Sequence, residues 1–258
     1  MTTNKIKIIA LVAMLLDHAA SSFPSVFPAW FGWIGRLAIP LFLFAVTEGI
    51  SHTSNTKKYL ARIYLFSIVV AIGNFALNSL FPNSGHAIAD NIFTTIFSIA
   101  FTIALIRYKG TTKRKVQIWV GYLALQAVGV IIAMMFPAVS PITAAVIPTW
   151  ITCEGSVLFV ILGLMLYSLS PARQSKKRLI FSVAYVIYCA LLFIISVASG
   201  GFTFNNLFVQ NYLWLMIIAL PFILAYNGKK GRGMKYMFYV FYPAHLWIFY
   251  ILSNLRAW

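Results

Sequence analysis

Apolar residues run through this chain in blocks of about twenty, separated by short polar or basic patches. A helix rises about 1.5 Å per residue, so about 20 apolar residues match the hydrocarbon thickness of a bilayer. Nine blocks are predicted as transmembrane helices: 5–23, 30–50, 58–80, 91–107, 116–136, 154–169, 178–198, 208–226 and 235–254. The stretch 138–153 is also apolar, but it is short and carries Pro141 and Pro148. It reads as a re-entrant or interfacial segment rather than a tenth span. The fold class is therefore all-α, a polytopic membrane helical bundle forming one domain over 1–258. A β-barrel would instead show alternating segments of about ten residues.

The basic patches give the bundle a direction. Lys5 and Lys7 precede the first span; Lys57, Lys58 and Arg62 follow the second. Arg107, Lys109, Lys113, Arg114 and Lys115 join the fourth to the fifth, and Arg173, Lys176, Lys177 and Arg178 join the sixth to the seventh. Lys229, Lys230, Arg232 and Lys235 join the eighth to the ninth. These are 18 of the 20 Lys and Arg, all on alternate loops, while 24–29, 81–90, 137–153 and 199–207 have none. Basic loops stay on the cytoplasmic side. The N-terminus is thus predicted inside and the C-terminus outside.

Composition agrees: 61% of the chain is hydrophobic and 9% charged, against about 25% charged in soluble domains. The net charge of +16 is spread over span-flanking loops, with no basic domain on which a nucleic acid could sit. The same topology accounts for the basic loops without invoking an anionic cofactor. The N-terminal 23 residues resemble a signal peptide, but Asp17 and His18 interrupt the end of its apolar run. Cys153 and Cys189 have neither metal-like nor redox-like spacing. The His and acidic residues likewise show no metal-ligand spacing.

The candidate chemistry lies in charges set inside greasy runs. A charge at mid-bilayer costs roughly 3 kcal/mol on insertion scales and marks a functional site by default. Asp17, His18 and Arg36 are placed in this way, and all four acids, Asp17, Glu48, Asp90 and Glu154, sit in or at the ends of spans. His18 is expected roughly 8 Å, and Arg36 roughly 9 Å, from the same outer end of adjacent helices. Successive residues point about 100° apart. Asp17 therefore pairs more naturally with Arg36 than with His18, leaving His18 facing a cavity; a buried structural network is the alternative. Pro40 lacks the N–H that would bond the carbonyl of residue 36, which predicts a break or kink there. Glu48 reads as a functional acid or an interfacial one near Lys57 and Lys58. Asp90 and Glu154 read as helix N-caps. Asn74 and Asn78 share a face, lining the His18 cavity or bonding a neighbouring helix. His245 follows Pro243 near mid-membrane and is expected to be neutral and hydrogen-bonded. His86 reads as a solvated loop residue.

The chain resembles the TraX family. The resemblance rests on Lys5 and Lys7 leading to Leu16-Asp17-His18, and on Ile34-Gly35-Arg36-Leu37-Ala38-Ile39-Pro40-Leu41-Phe42 leading to Glu48-Gly49. It continues through Lys58-Tyr59-Leu60-Ala61-Arg62, Asn91-Ile92-Phe93-Thr94 and Phe238-Tyr239-Val240-Phe241-Tyr242-Pro243-Ala244-His245-Leu246. Spans five to eight match in hydropathy alone. The resemblance implies a bacterial cytoplasmic-membrane acetyltransferase, since TraX proteins are linked to N-terminal acetylation of conjugative pilin. The Asp-His pair is also similar to that of transmembrane acyltransferases that use cytosolic acetyl-CoA. By this resemblance the acceptor is a pilin N-terminus or another envelope protein or glycan, and Glu48, Asn91, Tyr242 and His245 are expected to bind acetyl-CoA.

That expectation suits the chemistry of the residues. His18 would act as general base on an amine or hydroxyl, and Arg36 would stabilise the thioester oxyanion. Asp17 would hold Arg36, or orient His18. Direct transfer and an acetyl-histidine intermediate fit equally. Buried Asp, His, Arg and Glu also suit a proton-coupled transporter or flippase, and an assembly partner for another membrane protein is the third reading.

Overall fold

A computed structural model describes residues 1–82, 87–170, 175–231 and 237–255. His86 and the loop cations Arg173, Arg232 and Lys235 lie outside the described residues. Among the described residues every regular element is helical, and there is no strand. Four stretches are long and apolar enough to cross a membrane: Trp30–His52, Thr56–Leu80, Thr112–Met135 and Lys177–Gly200. Their surfaces carry large exposed apolar side chains, such as Leu65, Ile72 and Phe75 on the second and Val120, Leu123 and Ile131 on the third. Apolar faces of that extent suit a lipid solvent, and the chain is a helical membrane protein.

The chain divides into two compact units, Met1–Ala45 with Met165–Trp258, and Val46–Leu164. The first unit begins with α1 (Thr3–Ser22). Thr2 caps it, its hydroxyl accepting from the Lys5 N–H. The Thr3 and Asn4 N–H groups donate to the carbonyls of Lys229 and Lys230 at 2.9 and 3.2 Å. The orphan donors of the first turn are thus consumed by chain from the far end of the sequence. A short α2 (Trp30–Gly35) packs back on α1, and α3 (Ala38–His52) follows after a break. The predicted span 30–50 is therefore two helices. Pro40 falls in the first turn of α3, where a missing N–H leaves no intrahelical bond unmade. The remainder of this unit is the end of α8 (Ser156–Ser168), α9 (Ser175–Gly200), an irregular run, α10 (Leu220–Leu224) and α11 (Met237–Leu255). α11 packs against α1 and stays helical through Pro243.

The irregular run replaces the regular span predicted over 208–226. It consists of a π turn at Asn206–Gln210, a 3₁₀ segment at Leu213–Ala219 and then α10, with Pro221 in the first turn. Side-chain amides compete with the backbone here. Asn206 donates to the carbonyls of Ser196 and Gly201 at 2.6 and 2.7 Å, and Asn211 donates to the Asn206 side chain at 2.6 Å. Two indoles meet loosened carbonyls: Trp33 donates to Phe208 at 2.6 Å and Trp214 to Leu207 at 3.0 Å. Non-helical backbone at membrane depth requires such partners.

The second unit holds the remainder of α3, then α4 (Thr56–Leu80), α5 (Ile92–Ile106), α6 (Thr112–Met135), α7 (Ser140–Val146) and most of α8. Asn55 and Thr111 cap α4 and α6. Helix α7 is the predicted interruption at 138–153. At seven residues it is too short to span, and it packs against α4 and α6. Its carbonyls and those that follow are met by side chains: Tyr64 donates to Val146 at 2.8 Å, and Gln126 donates to Pro148 while accepting from the Trp150 N–H.

Candidate active site

Asp17 and His18 are neighbours on α1, and the helical turn between them sends their side chains to different helices. Asp17 faces α2. Arg36, at the C-terminal end of α2, donates through one nitrogen, Nη2, to both Asp17 oxygens, at 2.6 and 2.5 Å. Its Nε donates to the Gly32 carbonyl at 3.3 Å, satisfying an orphan acceptor of that helix end. The guanidinium carbon lies 4.9 Å from the centre of the Tyr212 ring, a cation–π contact. Nη1 has no hydrogen-bond partner among the described residues, which leaves a donor uncommitted. Gly35 makes the approach of α1 and α2 possible, because a Cβ there would overlap the Asp17 carboxylate.

His18 faces α11. Its Nδ1 lies 2.8 Å from His245 Nε2, and His245 Nδ1 donates to the Phe241 carbonyl at 2.6 Å. The two imidazoles are 14° from coplanar with centroids 4.9 Å apart. The ring planes are thus close to parallel, and the 2.8 Å contact sets the two nitrogens between the rings. Phe241, Tyr242 and Phe249 surround the His245 ring, at 5.0, 6.0 and 6.0 Å between centroids. His18 is half-buried and His245 buried.

A cleft of about 160 Å³ opens on the Asp17 side of α1. Ser21, Phe27, Gly32, Phe208 and Tyr212 line it with Asp17. Its walls thus come from α1, α2 and the irregular run at 206–212. The sequence reading has His18 facing a cavity; its Nδ1 side faces α11 instead.

The other predicted residues are distributed between the units. Tyr242 is buried beside the imidazole pair in the first unit. His245, expected at the cofactor, has both ring nitrogens engaged by the protein. Glu48 and Asn91 belong to the second unit. Glu48 is buried, and its carboxylate lies 3.7 Å from His52 Nδ1, which donates to the Glu48 backbone carbonyl at 2.8 Å. Asn91, rather than Asp90, occupies the N-cap position of α5, and its side-chain amide donates to the Ser67 carbonyl at 2.8 Å. Glu154 precedes α8 by two residues; its carbonyl accepts from the Thr95 hydroxyl at 2.5 Å. Asn74 and Asn78 hold loop backbone, donating to the carbonyls of Asp90 and Ile88 at 2.9 Å each. They join chain segments within the second unit. Among the described residues no group of His, Cys, Asp and Glu is arranged to hold a metal ion.

Sequence reasoning overlooked Tyr212, Phe208, Trp33 and Gly35. The available signal was the cluster Asn205, Asn206, Gln210 and Asn211 at the head of an apolar block. So many amides at one end of a span mark backbone that leaves the helix.

No solved structure matches this chain. Over 249 residues it is 27% identical to a Dichelobacter nodosus protein described as probable fimbrial assembly protein FimC, serogroup H1, covering 94% of this chain and 91% of that protein. The sequence profile of the TraX protein matches residues 2–253, a range that takes in the ion pair, the imidazole pair and both units. The chain belongs to the TraX family.

Proposed function

We propose that this protein is a membrane-embedded acetyltransferase, moving an acetyl group from cytosolic acetyl-CoA to an amine or hydroxyl acceptor. The observation that carries the reading is the composition of one unit: a half-buried imidazole on α1, beside an Asp17–Arg36 pair whose guanidinium Nη1 has no hydrogen-bond partner among the described residues. His18 is the general base and Arg36 the oxyanion donor, with Asp17 holding Arg36. Positioned acid–base groups contribute about 10²–10⁴-fold to a rate, and oxyanion donors a comparable amount. Tyr242, beside the imidazole pair, is assigned to the donor substrate.

The protein sits in the bacterial cytoplasmic membrane with nine spans, its N-terminus inside and its C-terminus outside, so that acetyl-CoA arrives from the basic face. The fimbrial assembly role named for the Dichelobacter protein favours a fimbrial subunit N-terminus as acceptor; an envelope glycan is the other candidate. The test uses membranes given labelled acetyl-CoA, comparing wild type with His18→Ala. Label on an envelope protein or glycan in wild type, lost in His18→Ala, is expected. Undiminished transfer in His18→Ala would remove His18 from the reaction.

One observation favours a second reading. Two interrupted stretches, at Arg36–Leu37 and at 206–219, supply residues of the first unit's site, and broken helices line the binding sites of many transporters. A proton-coupled carrier or flippase would accumulate a solute in vesicles while transferring no label.

A further inference from the structure

We infer that His245 is a positioning residue that fixes the proton arrangement of His18, through a relay running from the Phe241 carbonyl to His245 Nδ1 and from His245 Nε2 to His18 Nδ1. This rests on the reading of His18 as general base. A carbonyl oxygen accepts only, so the 2.6 Å contact requires the proton of neutral His245 on Nδ1. Its Nε2 is then a lone pair. The 2.8 Å contact to His18 requires a donor on the other side, which puts the His18 proton on Nδ1. The near-parallel rings, with 2.8 Å between those two nitrogens, turn that N–H toward that lone pair. The His18 lone pair is left on Nε2, which has no hydrogen-bond partner among the described residues. A free imidazole can place its proton on either nitrogen; here one backbone carbonyl decides it for two rings.

The relay also carries charge. When the acceptor X–H attacks the thioester carbon, its proton passes to His18 Nε2 and the X–C bond forms. The His18 Nδ1 proton can then shift to His245 Nε2, moving the positive charge onto a ring whose Nδ1–H stays bonded to Phe241. On collapse of the tetrahedral species the C–S bond breaks, and the thiolate takes the proton from His18 Nε2 as the Nδ1 proton returns. CoA thiol and acetylated acceptor leave, and both imidazoles are neutral again. His245 touches no reacting atom, and its aromatic surround of Phe241, Tyr242 and Phe249 holds it in register.

Two variants of nearly equal polarity test this in the full-length protein. In His245→Gln the amide reaches the former Nε2 position and can accept from His18. In His245→Asn the shorter amide reaches only the Nδ1 position. The probe is diethyl pyrocarbonate, which reacts with an unprotonated imidazole nitrogen, with His18 followed by peptide mass spectrometry. A single neutral hydrogen bond biases the tautomer by about fivefold to tenfold. Since the bias acts on a tautomer that is already the major one, His18 labelling is expected to slow by about two- to threefold in His245→Asn and to remain near wild type in His245→Gln. Equal labelling rates in the two variants overturn the relay, whichever rate they share. Acetyl transfer is measured alongside: in His245→Asn, kcat is expected to fall by about 10²-fold with KM unchanged, and His245→Gln to retain more. A labelling contrast between the two variants, with no acetyl transfer by the wild-type protein, would keep the orientation and sink the acetyltransferase reading.

Discussion

The Asp17–Arg36 pair allows a quantitative prediction, because its environment lies between two known limits. Removing one partner of a fully buried pair costs about 3–5 kcal/mol, while an exposed pair is worth about 0–1 kcal/mol. The Arg36 and Asp17 side chains are 16% and 21% exposed, so most of each is covered. Both carboxylate oxygens bond one nitrogen, and that nitrogen would retain one acceptor in Asp17→Asn. The expected loss of stability for Asp17→Asn is therefore about 2–3 kcal/mol, near the lower end of the buried range. Arg36→Gln should cost a similar amount. The double variant leaves no unpaired charge, so its loss should fall short of the sum of the two by about 2 kcal/mol, the coupling of the pair. The assay is reversible unfolding in mixed micelles, read by tryptophan fluorescence, on all four proteins. Additive losses, with coupling below about 0.5 kcal/mol, would refute the pair as an energetic unit.

The remaining predictions test the surroundings of that pair. Gly35→Ala places a methyl group on the Asp17 carboxylate and is expected to destabilise by about 1–3 kcal/mol through overpacking, seen as a lower Tm. Trp33→Phe removes the donor to the Phe208 carbonyl; amide hydrogen exchange over 206–212 should accelerate, with a stability loss of about 1–3 kcal/mol. Asn206→Ala strips partners from the Ser196 and Gly201 carbonyls and should lower stability by about 2–3 kcal/mol. Pro40→Ala restores an N–H that the first turn of α3 does not use, so stability should change by no more than about 1 kcal/mol. A larger change would mean that Pro40 acts as a helix kink after all.

Which parts of this architecture could be read from the residues follows from the range of the forces involved. Hydropathy is additive along the chain, so most helices fall within a few residues of their apolar blocks: α4 covers Thr56–Leu80 where 58–80 is predicted, and α6 covers Thr112–Met135 where 116–136 is predicted. Depth counting from a short connection brings His18, and with it its neighbour Asp17, level with Arg36, and the ion pair needs little more than that. The breaks are harder to read because they are decided by partners distant in sequence. The run at 206–219 leaves α-helical geometry where Trp33, over 170 residues away, offers its indole. Hydropathy weighs Phe208 and the residues after it as an ordinary span. Pro40 gives a local signal, but its effect depends on whether a helix passes through it or starts beside it. The imidazole pair is similarly hidden: 227 positions separate His18 from His245, and neither motif names the other.

The alternative for the charged residues of α1 and α2 is that they are structural, and energetics weigh against it. A partly buried ion pair can often be replaced by apolar side chains without loss, or with a gain, in stability. An unbroken helix satisfies its own backbone without help from an indole or an amide. Two imidazoles packed among aromatic rings bring polar nitrogens into a place where a phenyl ring would do. Each of these features is one that packing alone would avoid. The ion pair, the imidazole pair and the break at 206–219 lie in one unit, with the two pairs on helices that touch, next to a cleft whose wall includes Asp17 and Tyr212. Departures from local preference concentrate where a protein binds or reacts. Were the cluster a fold-stabilising device, replacing Asp17 and Arg36 together by Leu and Met would leave function intact and stability equal or higher. On the catalytic reading the same double variant stays folded and its label transfer from acetyl-CoA falls with the loss of the Arg36 donor.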